Sequence, residues 1–463
     1  MTTPSDALAP PAGEAPPTGE PPPAKPSLLR STLLVMPALV VFRTGEMFLP
    51  IVLAYWFGRT DAMDVYFFAW AVFSFAGSLV FSAFKDSPLV PVLAEERLAR
   101  PKEVPPLIGS VLVHTWIIGG ALAVAIGALA LGWFAFRYEG PDFTLAAWMV
   151  LPFTLYLVVM ATRTFFGALL TVERQFVVQP IASGLGMVVN IAVLALGHAR
   201  VGVPLVPVAA LAGELVVTAI LAWFSLRIVG VKIELGLARP PALARAARLI
   251  AHEVGGGAVT RVNPVVDQLM AGLAGIIGAG TMLRYSGDVA LVATSLLQAA
   301  LLPVLLSHLS DDFARRDLAT FRRTVVRSLV TVTALLVATT ALMWIFRAPI
   351  LRGVFLHGEM DVEGVDRMIR LLPYHLVGLA PFGALLVLAR AHVALKNSEI
   401  MIGMGLLNAG CNAVFNVVLL KLMGLEGIAL STSCVHLAIA VIFWFRFESR
   451  LRVVRALPPG VAA

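Results

Sequence analysis

The chain is 463 residues long, 59% hydrophobic and 14% charged, with a mean hydropathy of +0.88. Soluble proteins carry about 25% charged residues, so these values exclude a water-soluble domain and indicate a polytopic membrane protein. The net charge of +7 is no sign of nucleic-acid binding, because the basic residues flank apolar spans.

Residues 1–27 are dominated by Pro, Ala and acidic side chains. They lack the apolar stretch of a signal peptide and are expected to form a disordered cytoplasmic tail. Beyond them, apolar runs broken by Gly, Pro and charge clusters predict about twelve transmembrane helices. Six fall within 28–230, near 32–57, 63–88, 107–134, 144–168, 177–197 and 203–226. Six more fall within 231–446, near 247–276, 282–307, 325–346, 366–392, 400–421 and 427–446. A basic tail, 447–463, ends the chain. The expected fold is an all-α integral membrane protein with two pseudo-symmetric six-helix lobes.

The first span carries Arg43 and Glu46, three residues apart on one helical face, where they can pair. A charge at mid-bilayer costs about 2.5–3.5 kcal/mol on insertion scales, so it faces a partner or a pathway. The competing reading is an internal ion pair that only locks two helices. Lys85 and Asp86 end the second span, where snorkelling and local pairing also account for them. Glu214 lies mid-span in the sixth helix without a local partner and must find one on another helix. Arg261, Asn263 and Asp267 interrupt the seventh span, and Arg284 follows in the eighth. On the eleventh, Asn408, Asn412 and Asn416 recur every fourth residue. Such a stripe suits interhelical hydrogen bonding better than a substrate site. Cys411 and Cys434 lack metal-ligand spacing and read as small packed hydrophobes.

Lys and Arg gather on alternate connections, among them Arg97, Arg100 and Lys102, then Arg315, Arg316, Arg322, Arg323 and Arg327, and finally Arg446 to Arg455. This bias places both termini in the cytoplasm. The same basic rim could hold anionic membrane lipids at about 1 kcal/mol per residue, although orientation alone explains it. A shift of 218 positions lays Arg261 over Arg43, a weak match that suits a parallel duplication with a site between the lobes.

No enzymatic constellation is present in the sequence. His252-Glu253 lacks the second histidine of a zinc-protease helix, and no phosphate-binding G-x-x-x-x-G-K-[ST] loop occurs. The expectation is a transporter rather than an enzyme, with no cofactor beyond a coupling ion, Na+ or H+. Arginine stays charged and meets phosphate in a bidentate fork. Arg43, Arg261 and Arg284 would therefore make a cationic lobe interface, with Glu46 and Asp267 setting orientation.

Residues 57–96 resemble the opening of the MurJ/MviN lipid II flippase family, part of the multidrug/oligosaccharidyl-lipid/polysaccharide (MOP) exporter superfamily. Phe57, Gly58, Asp64, Val90, Pro91, Leu93, Ala94 and Glu95 match its FG, Asp-Ala and VP-x-LAE segments without a gap. The stretch LLPVLLSHLSDDFA resembles the end of the family's eighth helix, and the block from Gly353 to Ser398 resembles its tenth-helix region. The resemblance implies the MOP exporter fold, alternating access, the bacterial inner membrane, and a polyprenyl-diphosphate-linked saccharide as cargo, either lipid II or an exopolysaccharide precursor. It also implies that Arg43, Arg284 and Arg261 hold the diphosphate. Glu46, Asp64, Lys85, Asp86, Glu214 and Asp267 then form the gating, ion-pairing or coupling set, and glycosyltransferase or polymerase machinery supplies partners. Departures are clear: family arginines fall at Leu49, Gly77 and Ser78, and about twelve spans replace the family's fourteen. Two rival expectations stand beside this one. The first is a cation-coupled small-molecule or drug exporter of the same fold. The second is a non-transporting scaffold for envelope assembly.

Overall fold

The computed structural model describes residues 48–85, 92–93, 95–96, 99–173, 175–237, 242–244, 262–395, 397 and 400–456. Arg43, Glu46, Asp86, Arg261, the tail expected at 1–27 and residues 457–463 of the tail expected at 447–463 lie outside the described residues, and Lys85 is described by its backbone alone. Among the described residues the chain is helical throughout, with no strand. That follows from the sequence, because a lipid-exposed backbone must satisfy its N–H and C=O groups within each segment.

The helices are α1 (Phe48–Phe57), α2 (Asp61–Lys85), α3 (Val104–Arg137), α4 (Gly140–Val172), α5 (Val178–Val201) and α6 (Leu205–Trp223) in the first half. The second half holds α7 (Asn263–Gly272), α8 (Ala279–Ala314), α9 (Leu318–Ile345), the short α10 (Arg347–Phe355), α11 (Val362–Val377), α12 (Leu379–Ala394), α13 (Ile400–Met423) and α14 (Leu425–Ala456). Among the described residues, eight spans are long and apolar enough to cross a membrane. In one of them α11 and α12 act as a single crossing, broken only at Gly378, where an added Cβ would run into Ser433. With α2, α8 and the described ends of the first and seventh spans, the plan of about twelve crossings holds.

Several helices outrun the apolar stretches that announce them. α14 continues through Arg446, Glu448, Arg450 and Arg452 to Ala456, because straight-chain charged residues propagate a helix well. α6 ends in a π turn, Phe224–Ile228. Large apolar side chains face outward, including Leu129, Phe136, Trp148 and Leu196, each at least 70% exposed. Lipid is their natural solvent, and Trp133, Phe136 and Trp148 near the ends of α3 and α4 have the character of an interfacial aromatic belt.

The chain has two faces. The upper carries the turns after α1, α3, α5, α7, α10 and α13; the lower carries the basic connections. Near the upper face one buried cluster joins both halves, with Tyr66, Phe67, Phe73 and Phe153 on one side and Tyr285, Phe355 and Leu372 on the other. Phe67 and Tyr285 meet edge to face across the seam at 5.4 Å. Toward the lower face each half has its own core: Phe165, Phe166, Leu169 and Leu221 in the first, Phe321, Val332, Phe443 and Phe447 in the second. Among the described residues, one cluster joins the halves above, and each lower cluster belongs to a single half.

Candidate functional site

Between the lobes lies a cavity of about 710 Å³. Its walls come from α1, α2, α4, α5, α6 and α8 and are largely apolar, with Tyr66, Trp70 and Tyr156 among them. Two ion pairs interrupt this lining. On the second lobe, Arg284 of α8 donates from Nε to Asp288 Oδ2 at 2.9 Å, one helical turn on. On the first lobe, Arg163 of α4 donates from Nη1 to both carboxylate oxygens of Glu214 on α6, at 2.9 and 3.1 Å. The Glu214 side chain is 6% exposed, whereas Arg284 retains 38%. An intramembrane carboxylate is costly unless it is paired or hydrogen-bonded, and Arg163 meets that need for Glu214. Beside them Asn190 of α5 lines the same cavity. It is buried, and its Oδ1 has no hydrogen-bond partner among the described residues.

The cavity is sealed above by contacts between lobes. Arg59, in the turn after α1, donates from Nε and Nη2 to both oxygens of Asp361 at 2.7 and 2.8 Å, from Nη2 to Glu363 at 2.8 Å, and from Nη1 to the Ile277 carbonyl at 3.3 Å. This guanidinium holds the Asp361 carboxyl below its ordinary range, and the two carboxylates raise the Arg59 pKa in turn. Asp361 also accepts from the Gly364 N–H as the N-cap of α11. Asp64 of α2 crosses the seam to accept from the backbone N–H and hydroxyl of Thr281 at 2.8 and 2.7 Å. It thereby caps the N-terminal turn of α8, where orphan N–H groups and the helix dipole favour a carboxylate. Arg137 donates to the Gly272 carbonyl, and the Glu359 N–H to the Tyr55 carbonyl. Gly58 and Gly358 permit that last approach. Both have positive φ, and a Cβ on either would strike the opposite backbone.

Asp267 sits apart, inside the second lobe. Its Oδ1 accepts from Asn412 and Asn416 of α13 at 3.1 and 2.8 Å, and its Oδ2 from Thr432 of α14 at 3.2 Å. Asn408 donates to Asn263 at 3.1 Å, so the asparagine stripe runs along α7 as interhelical hydrogen bonds. Among the described residues no cluster of three His, Cys, Asp or Glu side chains could hold a metal ion. Asn412 and Asn416 present their amide nitrogens to Asp267, while their oxygens accept from Asn416 and Ser431 respectively.

Of the residues expected from sequence, Arg284 and Glu214 therefore share the cavity, Asp64 belongs to the upper seal, and Asp267 to an internal network. Asp288 and the Arg59–Asp361–Glu363 latch were not expected, and Arg163 reads from sequence only as an intramembrane arginine toward the cytoplasmic side. Asp288 lies four residues after Arg284, a helical pairing distance that makes it readable from sequence. The latch joins residues about 300 positions apart and leaves no such trace.

The family model for the lipid II flippase MurJ matches residues 53–458. No curated protein matches the sequence. Among solved structures, the lipid II flippase MurJ in an inward closed conformation superposes with a TM-score of 0.75 at 19% identity, covering 92% of this chain and 88% of that one. An inward-facing multidrug resistance MATE family transporter of the MOP superfamily gives 0.74 at 13% identity, covering 92% and 98%. A MOP superfamily transporter from Pyrococcus furiosus Vc1 gives 0.65 at 13%, covering 92% and 97%. The fold is that of the MOP exporters.

Proposed function

We propose that this chain, which belongs to the lipid II flippase MurJ family, moves a polyprenyl-diphosphate-linked saccharide across the bacterial inner membrane by alternating access. The observation that carries the reading is the interlobe cavity: about 710 Å³, cationic at Arg284 and closed on one face only by contacts between lobes. A headgroup bearing a diphosphate needs such a charged, water-accessible chamber, whereas its polyprenyl tail can stay in lipid beside the seam. The positive-inside bias makes the basic lower face cytoplasmic, so the sealed face is the outer one, and cargo is loaded from the cytoplasm. Arg284 engages the diphosphate, joined, as the sequence resemblance implies, by Arg43 and Arg261. Guanidinium is suited to this role because it stays charged and binds phosphate oxygens in pairs.

Coupling is assigned to Asp267. With its amide neighbours turned oxygen-first, Asp267, Asn412, Asn416 and Thr432 offer donors appropriate to Na+, and protonation of the same carboxylate serves H+ equally well. At the lower face, Arg322, Arg323, Arg327 and Arg455 surround a pocket of about 450 Å³, a fitting place for an anionic lipid headgroup.

The deciding experiment is depletion of the protein in its host, followed by extraction of lipid-linked intermediates. Accumulation of an undecaprenyl-diphosphate saccharide on the cytoplasmic side is expected, and its identity names the cargo. Complementation with Arg284→Ala should fail while the protein still accumulates. Normal lipid-linked pools after depletion, with changed drug sensitivity, would instead support the small-molecule exporter.

A further inference from the structure

Four arginines meet at the lower end of the second lobe. Arg322, Arg323 and Arg327 of α9 and Arg455 of α14 line one pocket of about 450 Å³, with Ala319 and Val326 between them. Arg322 is committed, because its Nε and Nη2 both donate to Glu448 Oε1 of α14, each at 2.8 Å. Arg323, Arg327 and Arg455 are exposed and have no ion pair among the described residues. Asp317 lies within electrostatic range of Arg323, but it is spent on the Thr320 N–H as the N-cap of α9. Arg323 and Arg327 are one helical turn apart, where like charges destabilise a helix. Orientation in the membrane asks for basic residues on this side, not for three unpaired ones around a single pocket.

The surroundings of the pocket point to its ligand. Along α9, Arg323, Arg327, Val330, Ala334 and Val337 follow at steps of three or four, and all are exposed. Along α14 the same spacing links Arg455 and Arg452 through Glu448 to the exposed Phe445, Val441 and Leu437. Such spacing puts each set on one helical face. Both faces are therefore apolar along the membrane and cationic at its cytoplasmic edge. Beneath the pocket Phe321 and Phe447 stack at 6.3 Å and fix α9 to α14. A soluble anion would use the arginines alone. A phospholipid uses both parts, its phosphate among the guanidiniums and its acyl chains along the two stripes.

We infer that this pocket binds the phosphate of an anionic phospholipid of the cytoplasmic leaflet, with Arg323, Arg327 and Arg455 as its ligands. Arg322, held by Glu448, forms the wall toward α14. The inference deepens the lipid reading of the pocket and is independent of the cargo in the interlobe cavity. One bound lipid ties the first turns of α9 to the last turn of α14 and closes the lower edge of the second lobe. Three unpaired guanidiniums already supply the cations that a phosphodiester needs. A zwitterionic headgroup brings an ammonium against the same arginines and is rejected.

The test is native mass spectrometry of the full-length protein, following the first molecule bound. The titrants are phosphatidylglycerol and phosphatidylcholine of identical acyl chains, and soluble glycerol phosphate. Wild type should prefer phosphatidylglycerol about tenfold or more and take up no glycerol phosphate in the same concentration range. Arg323→Gln/Arg327→Gln, two exposed changes to a good helix former, should weaken phosphatidylglycerol binding about ten- to thirtyfold. Phosphatidylcholine binding should stay unchanged, which also reports an intact fold. Arg227→Gln/Lys232→Gln removes two exposed cations from the lower rim of the first lobe and should alter neither affinity by more than about twofold. Equal affinity of wild type for the two lipids would remove the lipid reading of the pocket. Preference kept in Arg323→Gln/Arg327→Gln, or lost equally in Arg227→Gln/Lys232→Gln, would place the lipid elsewhere on the rim and overturn this site. Glycerol phosphate bound as tightly as the lipid would make the ligand a free phosphate and overturn it as well. None of these outcomes bears on the cargo of the interlobe cavity.

Discussion

At the scale of single residues, the outer seal turns on Arg59. Its guanidinium is 17% exposed, while Asp361 and Glu363 retain 49% and 58%. Pairs this open are screened by solvent, each contributing about 0.2–1 kcal/mol. Losing both should move the ratio of closed to open outer faces about two- to thirtyfold. The pH dependence has a definite sign. Arg59 holds the Asp361 pKa down, so the contribution of this carboxylate is complete above the ordinary value of about 3.9 and fades only as pH falls through the lowered one. The raised Arg59 pKa means its contribution is present throughout and fades only in strong alkali. The Arg59–Asp361 pair should therefore be indifferent to pH between 5 and 8. Spin labels at Glu139 and Lys421, exposed near the outer ends of α3 and α13, would read the seal. Arg59→Ala should populate longer distances at every pH in that range. A distance distribution that shifts between pH 8 and pH 5 in wild type would assign the switch to another group.

At the scale of elements, the helices were legible because each apolar run is longer than a bilayer crossing needs, and Gly, Pro and charge mark the breaks. Their ends were not, since charged residues such as those from Arg446 to Arg455 prolong a helix past the apolar stretch. Pairing between helices was less readable still. The asparagine stripe on α13 was visible as a polar face, and its partner Asp267 as an intramembrane carboxylate, yet their meeting depends on α7, α13 and α14 packing together. Glu214 announced its need for a cation without saying that Arg163 supplies it. Of the positions where the resemblance expects arginine, Leu49 lines the cavity and Gly77 packs toward Leu157 and Met160 of α4. The Asp267 network yields its own prediction. A ligand that binds only the folded state stabilises it by about 2.7 kcal/mol at one hundred times its dissociation constant. Replacing choline by Na+ should raise the thermal midpoint of the purified wild type by several degrees and leave Asp267→Ala unmoved. Equal midpoints in the two salts would remove Na+ as the ligand and leave the proton.

At the scale of the whole molecule, the distribution of buried clusters describes how the lobes can move. Among the described residues the lower cores each belong to one lobe, so parting there leaves those cores intact, whereas the upper cluster joins both and must be divided for the upper face to open. The seam also brings together positions about one repeat apart. Arg59 reaches Ile277 at a separation of 218, and Asp64 reaches Thr281 at 217. Residues related in this way approach each other where a pseudo-twofold axis along the membrane normal passes, which is also where two rocking lobes would pivot. Dividing the upper cluster costs buried apolar area, and under the proposed alternating access the cargo would offset that cost by binding the outward-open state more tightly. Clamping the seam should consequently arrest transport without disturbing the binding of cargo from below. In a background with Cys411 and Cys434 replaced by Ser, Tyr55→Cys/Glu359→Cys places two thiols where the backbones of the lobes are hydrogen-bonded. Oxidation should stop translocation of undecaprenyl-diphosphate saccharide in proteoliposomes, reduction should restore it, and lipid binding should survive both. Full transport by the cross-linked protein would mean that cargo leaves by a route other than this seam.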